Sequence, residues 1–196
     1  MKSLYYIMSI LIIGFSGCAG PNPNIGERTA DVAWHQGDTQ SAHGIIKKKA
    51  IVGYPWAQLR LGVMYELGVS VEKNIPEAIK WYKLAAAQKS DTKWADGYII
   101  GAIGEQGFFG QNSDARIAQY QLANIYLTGN GVEKNIKQAY RYIAPVVKET
   151  KGSPIFYCCE FSGGQWIPAE KIEKTYKQTI SQLTKDEVST LDIELR

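Results

Sequence analysis

Histidine and cysteine are scarce in this chain: 196 residues include two His and three Cys. Metal sites and nucleophilic catalysis draw heavily on those two residue types. The two His, His35 and His43, stand eight residues apart across a turn signal, which is not the spacing of a zinc-binding helix. Cys158 and Cys159 are adjacent, a separation at which ordinary disulfide geometry is hard to meet. They are either buried free thiols or, in an exported protein, oxidised to a partner or into a strained ring. No second Cys or His cluster accompanies them to hold zinc. Also missing are a G-x-S-x-G elbow in the mature chain, a P-loop and a dinucleotide-binding glycine motif. Gly163-Gly164 is a turn signal rather than a phosphate cradle. The carboxylates read as scattered over solvated helix faces. No catalytic constellation emerges, so no enzymatic activity, metal or cofactor is expected.

A strong charge of one sign is missing too. The net charge is +3, spread along the chain, and the one tight basic run, Lys47-Lys48-Lys49, reads as a solvated helix face. A nucleic-acid binder would carry a larger basic face with aromatics interleaved, so no nucleic-acid partner is expected. Long apolar runs are absent. The apolar stretch Leu4 to Phe15 falls short of the ~20 residues that span a bilayer. With Lys2 before it and Ser16-Gly17-Cys18 after it, the stretch has the layout of a secretory signal peptide.

What is present is a repeat. The pentapeptide VEKNI occurs at Val71–Ile75 and again at Val132–Ile136, and the match extends well beyond it. AQLRLGVMYELGVSVEKNIPEAIKWY, from Ala57 to Tyr82, aligns without a gap on AQYQLANIYLTGNGVEKNIKQAYRYI, from Ala118 to Ile143, with eleven identities. Internal repetition of this kind governs the whole reading. Leu61, Met64, Tyr65 and Gly68 fall at helical spacing, and Gly68 has the place of a helix-closing glycine. Asn74 reads as an N-cap with Pro76 in the first turn and Glu77 three residues on. Gly129, Asn135 and Gln138 repeat the arrangement. Ala78, Trp81, Tyr82, Ala85 and Ala86 then mark a second helix, whose small residues permit close helix approach. VEKNI is therefore the turn and cap of a helix hairpin that is built twice. Trp81, Tyr82, Tyr65 and Tyr126 read as packing residues.

A degenerate copy lies upstream, over residues 28 to 53. Ala42 and Ala50 precede Ala78 and Ala86 by 36 residues, and Gly37-Asp38 supplies a turn and cap. The two clear copies are 61 residues apart, which leaves 25 extra residues between them. Trp94 to Gly104 is either a lone helix or part of a plain insertion, followed by a glycine-rich loop to Gly110. Beyond Pro154 the pattern fades. Pro168 to Leu183 reads as a helix, and Thr184 with Glu187 forms a capping box for a final one. Solenoids need atypical ends, so this segment is the expected cap.

The repeated residues resemble the Sel1-like repeat, a relative of the tetratricopeptide repeat, with the approximate pattern A-x-x-x-L-G-x-x-Y-x-x-G-x-G-V, a D/N cap, and A-x-x-W-Y-x-x-A-A. The Ala57 copy matches nearly all of it, with Ser70 in place of the second Gly. The Ala118 copy has Ala123 for Gly and Tyr142-Ile143 for Trp-Tyr. The resemblance implies an all-α fold: a short α-solenoid of antiparallel helix hairpins, with clear repeats at 57–88 and 118–149, an insertion, and a C-terminal helical cap. Phe15-Ser16-Gly17-Cys18 resembles the bacterial lipobox, with Phe15 where Leu is usual. It implies a lipoprotein signal peptide at 1–17, a lipidated N-terminus at Cys18 with a tether over 18–27, and a repeat domain over 28–196. Ala19, rather than Asp, implies an outer-membrane anchor facing the periplasm of the bacterial envelope.

The expected function is protein binding, because stacked helix pairs present a curved surface to partners. Some bacterial lipoproteins of this repeat family are immunity proteins that neutralise secreted toxins, phospholipases among them. The resemblance therefore implies a membrane-anchored module whose partner is a secreted effector. An envelope scaffold or assembly factor, and a peptide- or glycan-binding module using Trp56, Trp94 and Trp166, are the alternatives. Partner-binding residues are expected where the repeat breaks. Phe108 and Phe109, side by side in the glycine-rich stretch Gly104 to Asn112, are the candidates. The competing reading folds both rings back into the core.

Overall fold

The computed structural model describes residues 25–87, 113–157 and 165–196. Among these residues the chain forms eight helices and one two-stranded ribbon. They are α1 (Ile25–His35), α2 (Thr39–Val52), α3 (Pro55–Leu67), α4 (Ile75–Ala86), α5 (Ser113–Thr128), α6 (Ile136–Thr150), β1 (Ile155–Tyr157), β2 (Gln165–Ile167), α7 (Ala169–Ile180) and α8 (Lys185–Glu194). Three hairpins, α1–α2, α3–α4 and α5–α6, stack in order: α2 packs on α3 and α4 packs on α5. The result is the short α-solenoid that the repeat implies.

The two clear copies agree down to single hydrogen bonds. Gly68 N donates to Met64 O at 2.8 Å, and Gly129 N donates to Ile125 O at 2.9 Å. Asn74 N donates to Tyr65 O at 2.8 Å, and Asn135 N to Tyr126 O at 2.9 Å, pinning each turn back onto its first helix. Gly68 and Gly129 sit at φ 75° and 73°, a left-handed conformation that glycine adopts without steric cost. The Asn74 side chain accepts from Glu77 N at 3.0 Å, and the Asn135 side chain accepts from Gln138 N at 3.0 Å. Both caps thus satisfy a backbone donor that the helix start would leave orphaned.

The degenerate first copy is also a helix hairpin. Gly37 takes φ 80° in its turn, and Asp38 caps α2 by accepting from Ser41 N at 3.0 Å. Ala42, Ile46 and Ala50 form the buried stripe of α2, so the alanine spacing does mark its inward face.

α3 is the keystone of the described fold. Every residue from Pro55 to Met64 is buried, as expected for a helix enclosed on all sides. One apolar cluster joins Ile46, Trp56, Leu61 and Met64 across hairpins one and two. A second runs from Leu59 and Ile79 through Ile117, Leu122 and Ile143 to Ile172. Tyr82 is fully buried, while Tyr65, Trp81 and Tyr126 are half-buried and pack against these clusters.

The C-terminal segment closes the stack. Pro168 precedes α7, and Thr184 and Glu187 complete the capping box at the start of α8. Ile172 carries α7 into the second cluster. α8 is held to α6 by Tyr140 Oη donating to Asp192 Oδ1 at 2.7 Å, by Arg141 with Glu194 at 2.8 Å and by Lys137 with Glu187 at 3.0 Å. The antiparallel ribbon, which pairs Ile155 with Ile167 and Phe156 with Trp166, is an element that the sequence pattern does not reveal. β1 packs on α5, and the two strands add Ile155 and Ile167 to the core.

Candidate protein-interaction site

Phe108 and Phe109 lie outside the described residues, as do Cys18, Trp94, Cys158 and Cys159. The segment carrying the two Phe lies between Ala87 and Ser113 in sequence, and the structure describes both of its roots. α4 and α5 pack directly on each other, sharing the cluster that contains Ile79, Tyr82, Ala85, Ile117 and Leu122. The Gln119 side chain donates to Ala86 O at 3.3 Å across that junction. Gly131, in the α5–α6 turn, lies so close to Ile75 that a Cβ there would come within 2.7 Å of its side chain. The hairpin stack is therefore continuous across the break in the sequence.

The second root of the insertion joins a buried charge cluster. Arg60, on α3, is 1% exposed. Its guanidinium donates to Asp31 Oδ1 at 2.6 Å and to Glu27 Oε1 at 2.9 Å, both on α1, and lies 5.1 Å from the Trp56 ring centre. Asp114, in the first turn of α5, also feels the Arg60 charge. The reading of the carboxylates as uniformly solvated is corrected here: Glu27 and Asp31 turn inward because a buried Arg needs paired charge. Burial pushes the Glu27 carboxyl up to about 7, against the pull of Arg60. Burial likewise raises Asp114 to about 6, again opposed by Arg60. The cluster ties α1 to α3 and sits beside the start of α5. Its chemistry is ion pairing, with no nucleophile within it. Among the described residues, no group of three or more His, Cys, Asp or Glu is placed to hold a metal ion.

The half-buried aromatics recur by repeat. Tyr126 and Tyr142 stack with ring centres 6.0 Å apart and planes 8° from parallel, and Lys83 of α4 lies 5.9 Å from the Tyr126 ring centre. Tyr65 and Trp81 occupy the equivalent positions one copy earlier, with Lys80 5.9 Å from the Trp81 ring centre. A row of partly exposed aromatics flanked by Lys suits contact with a protein partner, since such rings anchor interfaces at low entropic cost. Trp56 has no such role: it is buried at 6% exposure beside Arg60. The Trp166 backbone lies in β2.

Sequence reasoning missed the Arg60 cluster. A departure between the copies marks its position, because Arg60 aligns with Gln121 between otherwise apolar neighbours.

Stacked antiparallel hairpins of this geometry define a tetratricopeptide-like α-solenoid. The Sel1 repeat pattern matches residues 57–90 and 116–144, the two clear copies of the hairpin. Among solved structures, the chain is similar to c5321, described as a protective antigen present in uropathogenic Escherichia coli strains displaying an SLR fold. That match has a TM-score of 0.58 at 18% identity, covering 89% of this chain and 29% of the other. The chain thus spans under a third of that protein's length, and the likeness is one of fold. A Sel1 repeat protein from Oxalobacter formigenes also matches at 24% identity, over 85% of this chain and 75% of that one, with a TM-score of 0.31. No curated protein matches the sequence. Sel1 repeat proteins are generally protein–protein interaction modules, and the fold is typically a non-catalytic scaffold.

Proposed function

We propose that this protein is a lipid-anchored binding module of the bacterial envelope, facing the periplasm from the outer membrane, and that it captures and neutralises a secreted effector of the phospholipase type. The observation that carries the binding reading is the direct packing of α4 on α5. Among the described residues, the core passes from hairpin two to hairpin three directly, and the repeat period is interrupted between them. The leader MKSLYYIMSILIIGFSGC supports the anchor, with Cys18 as the acylated residue. Acylation would station the module beside the membrane that such an effector attacks.

Two measurements test this function. Metabolic labelling with a fatty-acid analogue should mark the parent and miss Cys18→Ser, which should also accumulate as precursor; equal labelling of both removes the anchor. Affinity capture from envelope extract with the intact chain should retain a secreted lipase whose activity falls on binding. Retention of cell-wall or secretion-assembly proteins alone would replace the neutralising role with a scaffolding one.

A further inference from the structure

The outer face of α2 pairs charge with apolar surface in a way that neither the hairpin stack nor the insertion uses. Lys47 and Lys48 stand four residues before Ile51 and Val52 respectively, so the four side chains share one broad face of the helix. The opposite stripe, Ala42, Ile46 and Ala50, is the one that packs inward. Ile51 and Val52 are 68% and 64% exposed, and both Lys are exposed beside them. Lys49, on the flank, is used differently: its ammonium lies 4.8 Å from the Tyr54 ring centre. α2 contains no Asp or Glu, and the two acids of α1 are turned onto Arg60. Apart from Asp38, which caps α2 at the turn, the carboxylates of hairpin one lie at the α3 contact, and the ammonium groups of Lys47 and Lys48 lie on the outside.

We infer that this stripe of α2 rests on an anionic phospholipid surface. Two classes of occupant could cover exposed aliphatic side chains here, and the lysines decide between them. A protein partner that buried Ile51 and Val52 would also desolvate Lys47 and Lys48, and interface cores are depleted in Lys. A bilayer interface accepts both at once: the aliphatic tips enter the acyl boundary while the ammonium groups reach lipid phosphates. Reach agrees with this placement. Six residues, 19 to 24, separate Cys18 from the start of α1, and at about 3.5 Å each they hold hairpin one within about 25 Å of an anchoring membrane. This last point rests on the proposed acylation of Cys18; the charge argument does not.

The test uses the full chain carrying a photoreactive benzophenone amino acid in place of Ile51, mixed with phosphatidylglycerol-containing vesicles and irradiated. A phospholipid adduct is expected at position 51, and an equivalent probe at the exposed Ser189 of α8 should give little. Lys47→Glu with Lys48→Glu should reduce the adduct at least about tenfold, as should neutral phosphatidylcholine vesicles or high salt. Circular dichroism of the Lys variant should match the parent, since both side chains are solvent-facing. Equal adducts at positions 51 and 189, equal yields on neutral vesicles, or cross-links from position 51 to a second copy of the chain would each overturn the inference. The vesicles are supplied externally, so the result stands apart from acylation: a missing fatty-acid label on Cys18 removes the anchor, while a missing lipid adduct removes the α2 contact.

Discussion

Gly62 of α3 lies against the ring of Tyr82 of α4, so closely that a Cβ on Gly62 would come within 2.6 Å of two ring carbons. In the second copy Ala123 aligns on Gly62 and Ile143 on Tyr82, and both belong to one apolar cluster. Both Tyr82 and Ile143 are fully buried. Glycine is matched with a large ring in one copy and alanine with a smaller side chain in the other, as close packing between paired helices requires. The internal alignment thus records a volume exchange across a helix pair.

That exchange predicts coupling. Gly62→Ala should destabilise the fold by about 2 kcal/mol, the usual scale of overpacking. This outweighs the gain of about 0.5–1 kcal/mol that Ala brings to a helix interior. In a Tyr82→Ile background the same Gly62→Ala change should cost far less. A double-mutant cycle from urea denaturation measures the difference, and strict additivity would contradict the packing account.

Ser70 is the one family-pattern glycine of the turn that the first copy has lost, and it keeps the glycine conformation at φ 58°, against 69° for its counterpart Gly131. A side chain in the left-handed region costs about 1–2 kcal/mol. Ser70→Gly should therefore stabilise the fold by about 1 kcal/mol despite the greater freedom of glycine in the unfolded chain. A lower urea midpoint for the variant would contradict this.

Asn74→Ala and Asn135→Ala should each cost about 1 kcal/mol, the common loss when an N-cap is removed. The two losses should be alike because the cap distances are alike, 3.0 Å in each. Thermal melts of the single variants check it.

The Arg60 cluster predicts a pH dependence. Glu27 titrates near 7 in the folded protein, against 4.5 for its ordinary value, and Asp114 near 6, against 3.8. Between the ordinary and raised values the folded state holds protons that the unfolded chain has released. Stability should therefore fall as pH rises from about 4.5 to 7.5, by an amount on the order of 2 kcal/mol. Asp38 and Glu187, whose pKa values are lowered by hydrogen bonds from the Ser41 and Thr184 residues respectively, act in the opposite sense and only at lower pH. Glu27→Gln should flatten the profile between pH 5.5 and 8. Denaturation midpoints that rise across that window in the parent would contradict the assignment.

Much of the fold is legible in the sequence because its signals are local. VEKNI places each cap within a few residues of the glycine that closes the preceding helix, and even the degenerate hairpin keeps Gly37-Asp38 and its alanine stripe. The ribbon is not legible, because three-residue strands such as Ile155–Tyr157 are too short to establish a period. Arg60 is not legible either. An Arg within a helix reads as solvated, and the partners that make its burial tolerable, Glu27 and Asp31, lie 33 and 29 residues away. The candidate site rests on the sequence alone: Phe108 and Phe109 stand where the repeat stops and lie outside the described residues.

The role of that interruption is tested most directly with Phe108→Ala combined with Phe109→Ala. Binding to the captured envelope partner and the melting temperature are measured on the same preparation. The account predicts a loss of about 2 kcal/mol or more in affinity, the size of an interface hot spot, with a melting temperature close to the parent's. A loss of several kcal/mol in stability with affinity retained by the folded fraction would contradict it and assign both rings to the core.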